Sequence, residues 1–204
     1  MRLMILGATG GIGRLLVSGA LEEGHEVTAF VRSPEKVSQK SPRLRLVGGD
    51  LFDVQQMAAA VRDSDAVISG FGPSTLRTTT LRRDFGHAVV QAMRVTGVRR
   101  LIHVTSAFLF QDGGALIALF GGTLFRNVVK DHVRSEAEMM QPDLEWTMVR
   151  PPRLVDQAAK GRIREVAGHL PKGGTVISRA DVANFMLKEA VAPHYVRQVV
   201  GISD

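Results

Sequence analysis

The sequence predicts an α/β fold with a doubly wound, mostly parallel sheet. Strand and helix patterns alternate from one end of the chain to the other, which is typical of parallel strands covered by helices on both faces. The first strand, residues 3–6, runs directly into a turn with glycine at positions 7, 10 and 13 before helical spacing begins. With 204 residues the chain can bury one core but is short for two, so residues 1–204 are expected to form a single domain.

The glycine turn is the most informative stretch of the chain. Strand, turn and helix in this order form the context of a dinucleotide-binding fingerprint, which makes the predicted domain a Rossmann fold. Gly7 allows the tight turn, Gly10 lets the backbone approach a pyrophosphate, and Gly13 lets the helix pack closely on the sheet. Free N–H groups and the helix dipole then favour phosphate at the start of that helix.

The remaining elements follow from hydrophobic period and from capping signals. Short apolar runs predict strands at residues 26–31, 43–47, 66–69, 100–104, 145–149 and 196–200. Helical spacing predicts helices at residues 14–23, 34–37, 54–61, 83–96, 123–140 and 179–191. Asp53 with Gln56 forms a capping box, and Gly97 stops the fourth helix. The glycine-rich apolar segment 108–122 fits neither period.

Composition excludes several classes of function. The chain contains no cysteine, so disulfides, thiolate metal sites and a cysteine nucleophile are ruled out. Its net charge of +6 comes from dispersed arginines with few aromatic residues, which favours a solvated basic surface that attracts phosphorylated cofactors over a nucleic-acid partner. No segment has the length of a signal peptide core or a membrane span, so we expect a cytoplasmic protein without a membrane partner. His25, His87, His103, His169 and His194 are too dispersed to predict a metal centre.

The end of the second strand predicts the cofactor. In open sheets of this kind, ligands bind outside the carboxyl ends of the strands. An NAD site usually carries an acidic residue at the end of the second strand, whereas arginine there accommodates the 2′-phosphate of NADP. Arg32 occupies this place, and Glu26 lies at the wrong end of the strand. The alternative is that Arg32 is a loop arginine bonded only to solvent. Because the glycine turn already indicates a dinucleotide site, the cofactor role is favoured, and the sequence predicts NADP(H).

The third and fourth strand ends supply further candidates. Asp50 and Leu51 suit the amino group and ring face of an adenine, although Asp50 could equally cap a turn. Gly70, Phe71 and Gly72 would let a ribose lie close to the backbone, although turn chemistry also explains such residues.

The end of the fifth strand, Thr105-Ser106, lies where the nicotinamide is expected. In short-chain dehydrogenases a serine here orients the substrate carbonyl, and a tyrosine about a dozen residues later, four before a lysine, delivers the proton. The single tyrosine of this chain is Tyr195, near the end of the sequence. The usual alcohol–ketone proton relay is therefore missing.

These motifs together resemble one family. The glycine turn, Val31-Arg32, Gly49-Asp50, the segment 104–109, Asp131-His132, residues 150–152 and residues 176–182 look like the flavin reductase/biliverdin-IX-beta reductase family, atypical short-chain proteins that lack the Tyr/Lys pair and use NADPH. The similarity covers nearly the whole chain. Related NmrA-like proteins keep the fold and the nucleotide but act as regulators.

The resemblance implies a set of site residues. The cofactor would be bound by Gly7, Thr9, Gly10, Gly11, Ile12, Gly13, Arg32, Asp50, Leu51, Gly70, Phe71, Gly72, Thr105, Pro151 and Pro152. Ser106 and His132 would be the catalytic candidates. The alternatives are that the Ser106 hydroxyl satisfies local backbone at the strand end and that His132 is a surface or packing residue of its helix. Phe108, Phe110 and Arg153 would face the acceptor, and Arg153 stands where the family often carries histidine.

A planar conjugated small molecule is the acceptor that this site favours. A flavin, a linear tetrapyrrole or a quinone could take hydride from NADPH and a proton from solvent, which requires stacking and orientation more than a dedicated acid. Phe108, Phe110, Leu116 and Phe120 could provide the apolar cover, or could simply pack on the sheet. A regulator that senses NADP redox state without turnover is the alternative. Either protein is expected to be a monomer or a weak homo-oligomer.

Overall fold

The computed structural model of the chain describes residues 1–72, 80–110 and 126–204, with the side chains of 126–128 left out. Ten strands lie in these ranges: β1 (Arg2–Leu6), β2 (Glu26–Val31), β3 (Leu44–Gly48), β4 (Ala66–Ser69), β5 (Arg100–Val104), β6 (Glu145–Arg150), β7 (Arg153–Val155), β8 (Arg164–Ala167), β9 (Val176–Ser178) and β10 (Gln198–Ser203). The helices in the same ranges are α1 (Gly11–Glu22), α2 (Val54–Val61), α3 (Leu81–Thr96), α4 (Arg126–Met139) and α5 (Arg179–Val191). Two short 3₁₀ helices cover Pro34–Lys36 and Ala107–Leu109.

Eight strands form one sheet in the order β3-β2-β1-β4-β5-β6-β10-β8. All neighbouring strands are parallel except β8, which pairs antiparallel with β10 at one edge. The strand order reverses between β1 and β4, which is the switch point where open sheets of this kind bind ligands. The predicted doubly wound Rossmann architecture is confirmed.

The core forms two layers, one on each face of the sheet. Along β1, Leu3 and Ile5 point to the face covered by α1 and α5, whereas Met4 and Leu6 point to the face covered by α2, α3 and α4. Successive side chains of a strand alternate between faces, so an apolar run such as residues 3–6 is buried on both sides. Because residues 3–6 are held in the core on both faces, the glycine turn that follows them is anchored at the carboxyl end of β1.

The sequence missed three strands and shifted several boundaries. β7 and β9 are only three residues long and pair with each other outside the main sheet, and β8 is a mostly exposed edge strand, so none of them carries an apolar run long enough to predict a strand. The last strand begins at Gln198 because Arg197 has φ 55°, which interrupts an extended chain. The predicted helix at 34–37 is a 3₁₀ turn, and the part of segment 108–122 beyond residue 110 lies outside the described residues.

Candidate dinucleotide-binding site

The glycine turn connects β1 to α1 at the switch point of the sheet. Gly7 has φ +76°, and its carbonyl accepts a hydrogen bond from Gly10 N–H at 2.9 Å. A Cβ atom on Gly13 would lie 1.9 Å from Gly7 O, and one on Gly7 would lie 2.8 Å from Phe71 N. Gly7 and Gly13 therefore have to be glycine for the chain to fold in this way.

Gly10 differs from these two because the folded chain would accept a side chain there. Its φ of −77° is open to any residue, and the atom that an added Cβ would approach, Gly7 O, is 3.3 Å away. The space beside Gly10 is therefore free for a ligand. The first N–H groups of an α-helix have no intrahelical partner, so those at the start of α1 are available to a pyrophosphate in that space.

A cleft of about 360 Å³ extends from this turn across the ends of β2 and β4. It is lined by Gly7, Thr9, Gly10, Phe30, Val31, Arg32, Ser33, Lys36, Leu51, Phe52, Gly70, Phe71, Gly72 and Leu81. Eight of these were predicted from the sequence as cofactor residues. The other six were not predicted from the sequence. Most of them reach the cleft through the path of the connecting segments, which the positions of the strands do not predict.

One rim of the cleft is cationic. Arg32 is exposed at the end of β2, and Lys36 follows it in the 3₁₀ turn that Pro34 begins. Pro34 packs against Gly48, where an added Cβ would lie 3.1 Å from Pro34 Cγ, so the turn is held against β3. Two cations with Ser33 between them form a group suited to a phosphate. Lys36 was not predicted, although its spacing from Arg32 is a signal that could have found it.

Asp50 is engaged in the turn after β3. Its Oδ1 accepts a hydrogen bond from Phe52 N–H at 3.0 Å, and its own N–H donates to Gln56 Oε1 at 3.1 Å. This is the turn-capping role that the sequence left open. Leu51 and Phe52 line the cleft, so apolar side chains are present for an adenine ring. An adenine contact by Asp50 stays a prediction.

The opposite wall of the cleft is built at the end of β4. Gly70 N–H donates to Leu6 O at 3.0 Å, which continues the parallel pairing past the end of the strand. Phe71 stacks on Phe85 with their ring centroids 4.1 Å apart. The wall is therefore supported by α3 behind it.

The end of β5 carries the candidate catalytic serine. Ser106 is half-buried, and its hydroxyl accepts a hydrogen bond from Phe108 N–H at 3.3 Å while its O–H remains able to donate. Ala107 N–H donates to Pro151 O at 2.9 Å, which ties this loop to the end of β6. Phe108 is 37% exposed, whereas Phe110 is 5% exposed and lies within the protein. Catalysis by Ser106 and acceptor contact by Phe110 stay predictions.

A buried polar cluster supports this loop from behind. Glu136 of α4 accepts hydrogen bonds from Thr105 Oγ1 at 2.7 Å and from the guanidinium of Arg150, whose Nε lies 3.0 Å away. Arg150 also lies over the ring of Phe110, 4.8 Å from its centroid. One carboxylate thus connects the carboxyl ends of β5 and β6.

Beside Glu136, the cluster holds two neutral histidines. Burial, followed by the charges of Arg82, His103 and Arg150, lowers the pKa of His132 to about 3. Burial lowers the pKa of His103 to about 4, partly offset by a backbone hydrogen bond at Ser69. His132 is 9% exposed, and its Nδ1 has no partner among the described residues. His132 is thus buried close to β5 and β6, and its catalytic role stays a prediction.

These depressed pKa values predict acid sensitivity. In the unfolded chain both histidines take up protons near pH 6.5, whereas the folded chain resists protonation down to about pH 4. The unfolded state therefore binds more protons between these values, and stability is lost as pH falls. We expect the free energy of unfolding to decrease by about 2 kcal/mol per histidine between pH 7.5 and 5. Urea unfolding of the wild type and of His132→Leu across this range measures it. The free energy of unfolding of the variant should fall about half as steeply with decreasing pH as that of the wild type. An equally steep fall would contradict the assignment of a depressed pKa to His132.

The remaining candidates lie around the end of β6. Pro151 is buried, Pro152 is half-buried, and Arg153 is exposed at the start of β7. Tyr195 lies before the amino end of β10, and its hydroxyl donates to Glu165 of β8 at 3.1 Å. Burial and that hydrogen bond raise the pKa of Tyr195.

In the described ranges no helix has the length and apolarity needed to cross a bilayer.

Comparison with known proteins places this geometry among nucleotide-binding chains. A family model described as NAD(P)H-binding matches residues 7–193. The chain is 28% identical to the uncharacterized protein YwnB of Bacillus subtilis, covering 96% of this chain and 94% of YwnB. It is 28% identical to the 2-alkyl-3-oxoalkanoate reductase of Stenotrophomonas maltophilia, covering 95% and 67% of the two chains. The crystal structure of a candidate NADH-flavin reductase from Streptococcus pneumoniae superposes with a TM-score of 0.81 at 25% identity, over 100% of this chain and 99% of the other.

Proposed function

The chain belongs to the NAD(P)H-binding family, and from that premise we propose that it is an NADPH-dependent reductase that transfers hydride to a planar conjugated acceptor. Flavins, quinones and linear tetrapyrroles are acceptors of this class. The observation that carries the cofactor choice is the cationic rim formed by Arg32 and Lys36 on the cleft beside the glycine turn.

The residues of the cleft fit such a cofactor. The space beside Gly10 admits a pyrophosphate at the start of α1, and the rim holds two cations where a 2′-phosphate would lie. Leu51 and Phe52 offer apolar surface to an adenine. When bound, the cofactor supplies a hydride equivalent from its nicotinamide ring. The protein binds and orients the two reactants and excludes water between them.

The acceptor class rests on what surrounds Ser106. The exposed ring of Phe108 supplies apolar surface, and the Ser106 O–H can donate to an acceptor oxygen or nitrogen. Tyr195, the single tyrosine of the sequence, lies before the amino end of β10, whereas Ser106 follows the carboxyl end of β5, so the proton that follows the hydride would come from solvent. Conjugated acceptors suit this chemistry because the charge that develops on them is delocalised. The similarity to the flavin reductase structure supports the same class.

A direct assay tests the proposal. Purified protein is mixed with NADPH and, in turn, FMN, riboflavin, a naphthoquinone and biliverdin, while the nicotinamide absorbance is followed. We expect NADPH to be consumed with at least one of them, and Ser106→Ala to slow that reaction. A 2-alkyl-3-oxoalkanoate serves as the comparison substrate, since one relative reduces that class. Tight NADP⁺ binding without turnover of any acceptor would favour a redox sensor.

Arg32→Ala should separate the two nicotinamide cofactors. A charge-assisted hydrogen bond to a phosphate contributes about 1.5–3 kcal/mol, so we expect NADPH affinity to fall about ten- to hundredfold while NADH affinity changes little. Lys36→Ala should act in the same direction with a smaller effect, because lysine is a point charge without the bidentate geometry of arginine. Calorimetric titration of each cofactor measures both. Arg45→Ala, an exposed arginine on β3, is the control with the same charge change. Equal losses of both cofactors would contradict the assignment of Arg32.

A further inference from the structure

Arg179 lies against the glycine turn although 168 positions separate it from Gly11 in the sequence. It is the first residue of α5, and a Cβ atom placed on Gly11 would lie 2.8 Å from Arg179 Cδ and 3.0 Å from its Nε. Gly11 is the first residue of α1. The contact therefore places the guanidinium stem beside the start of α1.

The start of α5 is fixed by a buried set of hydrogen bonds. Ser178 Oγ accepts from Asp181 N–H at 2.9 Å and donates to Asp181 Oδ2 at 2.7 Å. The same carboxylate accepts from the N–H groups of Lys160 and Gly161, each at 3.0 Å. Burial alone would raise the pKa of Asp181, but these bonds together lower it. These bonds fix the backbone at the start of α5, from which the Arg179 side chain extends toward Gly11.

The guanidinium itself is weakly engaged. Among the described residues, its one ion pair joins Nη1 to Asp156 Oδ1 at 2.8 Å. The side chain of Asp156 is 86% exposed and that of Arg179 is 29% exposed. An ion pair with so exposed a carboxylate contributes little to stability, so another anion can compete with Asp156 for the arginine.

The glycine turn lacks a cation of its own. Residues 7–13 contain no charged side chain, yet a dinucleotide brings two negative charges to the pyrophosphate. Backbone N–H groups and the helix dipole offset part of that charge. A guanidinium supplies full charge and a fork that matches phosphate oxygens.

We propose that Arg179 binds the pyrophosphate of the cofactor, and that Asp156 holds its guanidinium in the absence of the cofactor. This inference rests on the proposed binding of NADP(H). It assigns a different task to Arg179 than to Arg32, because one contacts the pyrophosphate common to both nicotinamide cofactors and the other the 2′-phosphate that distinguishes them.

Three probes separate these tasks in calorimetric titrations. NADP⁺ carries both phosphate groups, ADP-ribose carries only the pyrophosphate, and 2′-AMP carries only the 2′-phosphate. Arg179→Gln should weaken NADP⁺ and ADP-ribose by about tenfold or more and leave 2′-AMP unchanged. Arg32→Ala should weaken NADP⁺ and 2′-AMP, which carry the 2′-phosphate, and leave ADP-ribose unchanged. Asp156→Asn should tighten NADP⁺ and ADP-ribose severalfold, because the competing carboxylate is neutralised.

The controls address folding and general charge. Arg162→Gln removes a positive charge from an exposed neighbouring loop and should leave all three ligands unchanged. Thermal unfolding of each variant checks that the fold is retained, and Asp156→Asn tests the competition without altering Arg179. Unchanged NADP⁺ and ADP-ribose binding in Arg179→Gln would overturn the inference while leaving the proposed function intact. Failure of the wild type to bind any of the three probes would overturn both.

Discussion

Replacing Gly13 with alanine is expected to destabilise the fold by at least about 3 kcal/mol, because the new methyl group has no space. Its Cβ atom would lie 1.9 Å from Gly7 O and 2.6 Å from Gly7 C, and both are backbone atoms that cannot rotate away. The turn and the start of α1 would have to move apart, which also removes the packing of Ile12 in the core. Chemical denaturation measures the loss, and poor soluble expression is the outcome expected if it exceeds the stability of the whole chain.

Gly10→Ala is the matched control for this substitution. The approach of its Cβ to Gly7 O at 3.3 Å is tight but tolerable, so stability should change by only about 1 kcal/mol. The methyl group would nevertheless occupy the space beside the start of α1, and NADP⁺ affinity should fall at least about tenfold. The two glycines thus separate a requirement of the fold from a requirement of the ligand. Equal stability of the two variants would contradict the packing described for Gly13.

Glu136→Ala is expected to have the second large effect, about 3–5 kcal/mol of lost stability. The side chain of Glu136 is 4% exposed and that of Arg150 is 14% exposed, so the substitution leaves a largely buried guanidinium without its carboxylate. Thr105 Oγ1 loses its acceptor at the same time. Because these groups hold the carboxyl ends of β5 and β6, reductase activity at a temperature where the variant is folded should also fall.

The contribution of the ion pair itself can be isolated by a double-mutant cycle. Glu136→Leu combined with Arg150→Met replaces both charges by apolar groups and should cost clearly less than the sum of the single changes. Glu138→Ala, on the more exposed side of the same helix, should change stability by no more than about 0.5 kcal/mol. Additive losses in the cycle would show that the pair does not act as a unit.

The sequence predicts the central sheet well because each central strand carries its own signal. Burial on both faces produces an apolar run in residues 3–6, and capping residues such as Asp53 mark helix starts locally. The predicted bounds of β2, β4 and β5 agree with the structure residue for residue. The sequence gives no comparable signal for β8, since its pairing with β10 depends on segments far apart in the chain and most of its side chains face solvent.

The site divides in the same way. The place of Arg32 at the cleft was predictable because the end of the second strand has a fixed position relative to the glycine turn. Arg179 was missed because its place beside Gly11 depends on how α5 packs beside α1, which no local pattern reports. His103 was set aside among the dispersed histidines and His132 was a catalytic candidate on its own helix, so the sequence did not predict that β5 and α4 bring the two into one buried cluster with Arg82. Proximity of that kind is a property of the tertiary fold.

The antiparallel edge strand β8 also bears on how the molecule behaves at high concentration. An open sheet edge can template strand addition by another chain, which is a route to fibrils. Here the edge is only four residues long, and it opens with the charged pair Arg164 and Glu165. Arg164 further donates to the carbonyl oxygens of Lys172 and Asp204 beside that edge. Such an edge discourages a second molecule from extending the sheet, which protects the protein against amyloid-like growth from this side.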